Sequence, residues 1–223
     1  MRTEKISIDT RINKKIAVLS DLHDSPKWKE IVIPPVDLIL IPGDLVKSYG
    51  YGWNNAYQFL KYAQSIAPVI YSVGNHECLS PVEWHDMVKS LGVIFLNNQI
   101  TEFEDMTIGG IQDWYDDLSI PVLDELEKSK KFKILLSHRP ELYEPYLKSR
   151  NIDLIVSGHA HGGQMRLFGR AIFAPDQGFF PKYTDGLYDG KFLVSAGLEN
   201  TRKWIPRIGN PKKFYVVELK ERE

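Results

Sequence analysis

Short apolar runs recur along the chain, and each stops abruptly at a polar segment. Lys15-Ile16-Ala17-Val18-Leu19-Ser20 is closed by Asp21-Leu22-His23-Asp24, and Asp37-Leu38-Ile39-Leu40-Ile41 by Pro42-Gly43-Asp44. Pro68-Val69-Ile70-Tyr71-Ser72-Val73 is closed by Gly74-Asn75-His76-Glu77, and Lys133-Ile134-Leu135-Leu136-Ser137 by His138-Arg139-Pro140. The fifth run, Asp153-Leu154-Ile155-Val156, leads into Ser157-Gly158-His159-Ala160-His161-Gly162-Gly163. Continuous runs of this length, bounded by turn signals, predict strands buried on both faces. Between them, Trp53 to Ile66 has helical spacing, with Ala56, Phe59, Leu60, Ala63 and Ile66 on one face and Asn54 or Asn55 as the candidate cap. Further helices are predicted from Pro81 to Leu91, with Gly92 past the end, from about Ile120 to Lys128, and from about Glu141 to Arg150. Val93–Leu96, Gln99–Phe103 and Met106–Ile111 read as short strands of antiparallel character. More strands are predicted near Gln164–Phe168, Lys191–Ser195 and Phe214–Leu219, while Phe173–Gly190, rich in Pro, Gly and Asp, reads as loop. No repeat or composition shift marks a linker, so one α/β domain over residues 1–223 is expected.

Composition narrows the class. With 43% hydrophobic residues the chain can build a sizeable core, and its formal net charge of −1 disfavours a general nucleic-acid binder. Cys78 is the single cysteine, which excludes an intramolecular disulfide and makes a cysteine-based zinc site unexpected; it is expected to serve packing. The charged N-terminus has no apolar signal region, and no run approaches the roughly 20 residues that span a bilayer. A soluble, cytoplasmic protein is expected, with peripheral attachment to a membrane left open.

The closing segments carry the candidate chemistry. In open α/β sheets ligands bind beyond the carboxyl ends of the strands. Five such ends would gather Asp21, His23, Asp44, Asn75, His76, His138, His159 and His161. Of six histidines, only His85, expected on a helix surface, lies elsewhere. A lone His-x-His is a weak signal; the concentration of imidazoles at strand ends is a strong one. Mixed nitrogen and oxygen donors suit Mn²⁺, Fe²⁺/Fe³⁺, Zn²⁺ or Co²⁺. Two carboxylates, four imidazoles and an amide exceed the needs of one tetrahedral ion and fit two ions sharing a carboxylate. Two divalent ions with two carboxylates and a bridging hydroxide leave a charge of about +1, which attracts a phosphate and its transition state. Hydrolysis of a phosphate ester is the reaction this predicts.

In order, Asp21-x-His23, Gly43-Asp44, Gly74-Asn75-His76-Glu77, His138 and Gly158-His159-x-His161 resemble the motifs of the calcineurin-like metallophosphoesterases. The resemblance implies a two-sheet β-sandwich flanked by helices, a four-layer α/β/β/α fold. It implies that Asp21, His23 and His161 bind one metal, that Asn75, His138 and His159 bind a second, and that Asp44 bridges them. His76 would contact phosphate and protonate the leaving oxygen, with Glu77 orienting it by a hydrogen bond. The implied cofactors are two transition-metal ions (Mn, Fe or Zn), and the implied activity is that of a phosphodiesterase or pyrophosphatase. Gly158-His159-Ala160-His161-Gly162-Gly163-Gln164, with Ser195-Ala196-Gly197-Leu198 and Arg207, is similar to a bacterial branch whose substrates are phospho- or pyrophospho-linked, sometimes lipid-linked; nucleotide-linked substrates fit equally. The competing classes are a catalytically inactive scaffold of the same fold, which would have lost ligands, and a nuclease, which would want a basic groove.

Other residues stay open between two readings. Arg202, Lys203, Arg207, Lys212 and Lys213, opposed by Glu199 alone, read as cations for a substrate phosphate or as a solvated loop. Tyr49, Tyr51 and Trp53, and separately Trp114-Tyr115, read as pocket walls or as plain packing. No substrate-binding residue is assigned. Gly158, Gly162 and Gly163 are expected to keep side chains away from the metals or the substrate.

Overall fold

The computed structural model describes residues 1–47, 52–80, 82–174, 176–200 and 207–221. In chain order its strands are β1 (Arg2–Thr10), β2 (Lys14–Val18), β3 (Leu38–Pro42), β4 (Val69–Ser72), β5 (Ile94–Leu96), β6 (Gln99–Phe103), β7 (Met106–Gly110), β8 (Phe132–Leu136) and β9 (Leu154–Ser157). Four two-residue strands follow, β10 (Arg166–Leu167), β11 (Arg170–Ala171), β12 (Phe173–Ala174) and β13 (Gly178–Phe179), and then β14 (Gly186–Tyr188), β15 (Phe192–Val194) and β16 (Lys213–Glu221). The α-helices are α1 (Asn54–Gln64), α2 (Val82–Ser90) and α3 (Ser119–Lys128).

Among the described residues the strands make two six-stranded sheets, ordered β1-β16-β2-β3-β4-β5 and β14-β15-β9-β8-β7-β6. The runs that read as doubly buried are the parallel strands β2, β3 and β4 of one sheet and β8 and β9 of the other. Their two faces go to different cores. Ile16, Val18, Leu38, Leu40 and Ile70 meet Ile108, Ile134, Leu136, Leu154 and Val156 between the sheets. The alternate residues Ala17, Ile39, Ile41, Val69 and Tyr71 face Phe59 and Leu60 of α1 and Trp84 and Val88 of α2. On the opposite outer face Leu135, Ile155 and Phe192 pack with Leu123 and Leu126 of α3 and with Tyr143 and Leu147. The layers are therefore helix, sheet, sheet, helix.

Several local expectations are corrected. The charged N-terminus is a strand, parallel to β16 at the sheet edge. Its burial alternates between exposed and half-buried, so it carries no continuous apolar run to announce it. In the middle of the chain only β6 and β7 form an antiparallel pair; β5 runs parallel to β4 and β7 parallel to β8. The expected helix at 141–150 is a 3-10 turn, Pro140–Leu142, followed by a π turn, Tyr143–Leu147, closed by Lys148 N–H to the Tyr143 carbonyl at 2.8 Å. Pro145 has no N–H to give an α-helical ladder. Within the expected loop 173–190 lie β12 and β13, plus β14 at the edge of the second sheet. The strand expected at 164–168 shrinks to Arg166–Leu167. Neither Asn54 nor Asn55 caps α1; the Asp24 carboxylate accepts from Ala56 N–H at 2.9 Å and ties the helix to the loop after β2. Cys78 is exposed and packs no core, and His85 is half-buried with its ring against Phe95.

Candidate metal centre

The parallel ladders continue past the strands and bring their polar ends to one edge of the sandwich. Asp21 N–H bonds the Gly43 carbonyl and His23 N–H the Asp44 carbonyl, while Gly158 N–H bonds the His138 carbonyl. Leu198 and Glu199 donate to the carbonyls of Ser20 and Asp21, which stitches the exit of β15 to the exit of β2 across the two sheets. All eight residues singled out from the sequence meet here: Asp21, His23, Asp44, Asn75, His76, His138, His159 and His161. Five of them, Asp21, His23, Asp44, His159 and His161, have left-handed backbones with φ between 47° and 63°.

Asp44 is the hub. Its Oδ1 accepts from His76 N–H at 3.0 Å. Its Oδ2 lies 3.3 Å from His138 Nε2, 3.7 Å from His76 Nε2 and 3.9 Å from His23 Nε2. On one side, ligand-type atoms of Asp21, His23 and His161 lie within 4.8 Å of one another; on the other, those of Asp44, His138 and His159 do the same.

On the first side the two imidazoles face each other, His23 Nε2 to His161 Nε2 at 3.3 Å, with His161 Nε2 3.7 Å from Asp21 Oδ1. Only a protonated nitrogen can bond a carbonyl, so the 2.9 Å contact from His161 Nδ1 to the Glu199 carbonyl leaves Nε2 with its lone pair inward. Burial drives His23 down to about 3, although Asp44 pulls the other way. Burial, and then the Arg207 charge, drives His161 down to about 3. Both are neutral at pH 7, the state a metal requires of an imidazole.

On the second side His138 Nδ1 donates to the Pro42 carbonyl at 2.7 Å, so its Nε2 points inward. Asn75 Oδ1 stands 3.2 Å from that Nε2 and 3.0 Å from His159 Nδ1. Acceptors converging on one point repel unless a cation lies between them. Burial opposes protonation of His138, but the Asp44 charge and hydrogen bond outweigh it and lift this imidazole to about 10. A proton there does the work that the donor set is suited to give a metal. The residues fit divalent transition ions.

The Glu77 carboxylate faces backbone amides. Its Oε2 accepts from the N–H groups of Asp44 (2.7 Å) and Gly74 (2.8 Å), and its Oε1 from Leu45 (2.9 Å) and Val46 (3.3 Å). Four amides take up the carboxylate, so it braces the Asp44 turn. Burial and the Asp44 charge raise its pKa. Close approach explains two glycines. A Cβ on Gly74 would stand 2.4 Å from Asp44 Oδ1, and one on Gly158 would stand 2.7 Å from Asp21 Oδ2. Gly162 and Gly163, by contrast, clear Asn210 and Ala171.

In the sequence Arg139 is only part of the polar segment that closes a strand. It is buried beside His138, its Nη2 2.9 Å from Asp113 and its Nη1 bonded to Glu141 at 3.2 Å and to Asp176. Its guanidinium stacks on the exposed Trp114 ring at 3.7 Å. An arginine adjoining a strand-end histidine was the available signal; Asp176 had none, since it comes from a segment read as loop. Among the basic residues near the C-terminus, Lys212 pairs with Glu199, and Lys213 with Glu4 and Asp185. Arg207 donates to the Glu199 carbonyl beside His161. Trp53 opens α1 against Trp84; Tyr49, Tyr51, Arg202 and Lys203 lie outside the described residues.

Comparison with known proteins agrees with this geometry. Residues 14–163 match the model of the family described as calcineurin-like phosphoesterase. The putative metallophosphoesterase F40B5.2 of Caenorhabditis elegans is 29% identical over 232 residues, covering 92% of this chain and 48% of that protein. YpbG of Bacillus subtilis, uncharacterised, is 27% identical over 92% of this chain and 80% of its own length. The phosphodiesterase YaeI of Escherichia coli is 28% identical over 69% of this chain and 62% of its own. The chain thus spans about half the length of the nematode relative and four fifths of the Bacillus one. The family match begins at β2 and ends at Gly163, taking in every strand end that carries a candidate ligand: this chain belongs to the calcineurin-like phosphoesterases, a family of metal-dependent phosphoester hydrolases.

Proposed function

We propose that the chain hydrolyses phosphodiester or pyrophosphate bonds with two transition-metal ions, manganese being the first candidate, on nucleotide- or lipid-linked substrates. In this reading Asp21, His23 and His161 hold one ion, Asn75, His138 and His159 the other, and Asp44 both. The observation that carries it is Asp44 Oδ2, a single oxygen with three imidazole nitrogens within 3.9 Å, set between two donor groups. When bound, such a pair of ions lowers the pKa of a water and neutralises charge on phosphoryl oxygens.

The chain's own residues supply the rest. His76, anchored through its N–H to Asp44 Oδ1, stands beside the hub and protonates the leaving oxygen. Glu77 holds the Asp44 turn rigid against reorganisation. A diester preference draws support from the named activity of YaeI. Among the described residues no helix is long and apolar enough to cross a membrane, and the lone cysteine suits a cytoplasmic location.

The test is hydrolysis of an aryl phosphodiester, a monoester and a pyrophosphate by chelator-stripped protein, with and without Mn²⁺. Asp44→Asn loses metal and activity together. His76→Ala keeps its metal and loses about 10²–10⁴-fold in rate; full activity in a metal-loaded His76→Ala protein would refute the role given to this residue.

A further inference from the structure

We propose that Asp176, locked in place by Arg139, is a positioning residue that selects the metal-binding tautomer of His159 and so sets the affinity of the second ion. The inference rests on the two-ion reading above and concerns a residue outside every motif of the sequence.

The His159 ring lies between two neighbours that make opposite demands. At one end Nδ1 faces Asn75 Oδ1 at 3.0 Å. At the other, Nε2 lies 2.9 Å from Asp176 Oδ2 and 3.4 Å from Arg139 Nη1. Without a metal, Asn75 favours a proton on Nδ1, which would place the Nε2 lone pair against a carboxylate. The Asp176 charge reverses that preference, because a proton on Nε2 makes a short, charge-assisted bond to it. Nδ1 then keeps its lone pair toward Asn75, His138 and Asp44. Ligating histidines are commonly fixed in this way by a carboxylate on the far nitrogen.

Asp176 is half-exposed, and an exposed carboxylate alone would be a weak constraint. Its surroundings make it a strong one. Arg139 bonds it directly and is itself held by Asp113 and Glu141 and covered by Trp114. The next residue, Gln177, exchanges two hydrogen bonds with the backbone of Tyr183, at 2.6 and 3.1 Å, and pins the turn between β12 and β13. Glu141, His159 and Asp176 also have the spacing of a third cation site. Arg139 Nη1 already contacts all three, so the cation there is the guanidinium.

Chelator-stripped protein is titrated with Mn²⁺ in a calorimeter, and the His159 tautomer is read by ¹⁵N NMR of the metal-free protein. Wild type takes up two equivalents, with the proton on Nε2. In Asp176→Ala one equivalent binds about 10–100-fold more weakly, the other is unchanged, and the proton moves to Nδ1. Asp176→Glu restores both readouts. Two equivalents of wild-type affinity in Asp176→Ala would overturn the proposal while leaving the two-ion reading intact. A third wild-type equivalent that Asp176→Ala alone abolishes would overturn it in favour of a cation site. Wild-type protein that takes up no Mn²⁺ would overturn both readings.

Discussion

Glu77→Gln separates two accounts of the same carboxylate. The substitution preserves shape but replaces one acceptor oxygen with an NH₂ group. In its better orientation the amide oxygen keeps the bonds from Asp44 and Gly74, at 2.7 and 2.8 Å, and turns two hydrogens toward the N–H groups of Leu45 and Val46. Those donors are fully buried with Glu77. A buried donor left unsatisfied costs about 1–3 kcal/mol. The Val46 bond is long, so its loss falls at the low end, and the pair together comes to about 2–4 kcal/mol. Against a domain stability of about 5–15 kcal/mol this is a large fraction. Urea unfolding followed by tryptophan fluorescence reads it directly, the chain having five tryptophans. Metal affinity should fall in the same protein, because the Asp44 turn is what Glu77 holds. If Glu77 instead served to orient His76, the variant would unfold like wild type and lose only rate. A shift below about 0.5 kcal/mol would refute the bracing argument.

Two further outcomes follow from the same geometry. Gly158→Ala puts a Cβ within 2.7 Å of Asp21 Oδ2 and 2.9 Å of Ser20 Oγ, so the Asp21 carboxylate must move; metal analysis should find the ion held by Asp21, His23 and His161 weakened in a folded protein, and unchanged binding of both ions would contradict the placement of Asp21. The second concerns pH. In chelated protein the folded state lifts His138 from 6.5 to about 10, so the stability it contributes is complete below about pH 6.5 and fades as pH rises toward 10. The Asp44 carboxyl, held low mainly by His138 against burial, loses its contribution only in acid. Loading a metal must expel the His138 proton, and calorimetry at pH 8 in buffers of different ionisation enthalpy should register the release of at least one proton, ionisation of a metal-bound water adding to it; none released would mean that His138 is not a ligand.

The sequence made the doubly buried strands legible because parallel strands between two apolar layers need unbroken runs, and five such runs ended in Asp, His or Asn. It also made α1 and α3 legible through their spacing. What stayed hidden was whatever depended on partners remote in sequence. β1 is a half-exposed edge strand whose place is set by β16, two hundred residues away. The cap of α1 comes from Asp24 rather than from either adjacent asparagine. The family resemblance ties Glu77 to the His76 ring; in space its oxygens accept from the amides of residues 44–46 and of Gly74. Asp176 is invisible for the same reason, since its meaning comes from His159 and Arg139.

The left-handed backbones show why the candidate positions could be located but not explained from sequence. In extended backbone successive side chains alternate between the two faces of the sheet. A residue with φ near +50° turns the chain sharply out of that extended path. Glycine would adopt that conformation at no steric cost, but it has no donor to offer. Asp and His tolerate it better than most residues, yet still at roughly 1 kcal/mol or more each. Asp21, His23, Asp44, His159 and His161 all carry it. The fold therefore holds several kcal/mol of local strain at one edge, sustained by three apolar layers packed on both faces of two sheets. Strain placed on residues that carry donors, while glycines occupy the close approaches between them, is the arrangement expected of a site selected for chemistry against the local interest of stability.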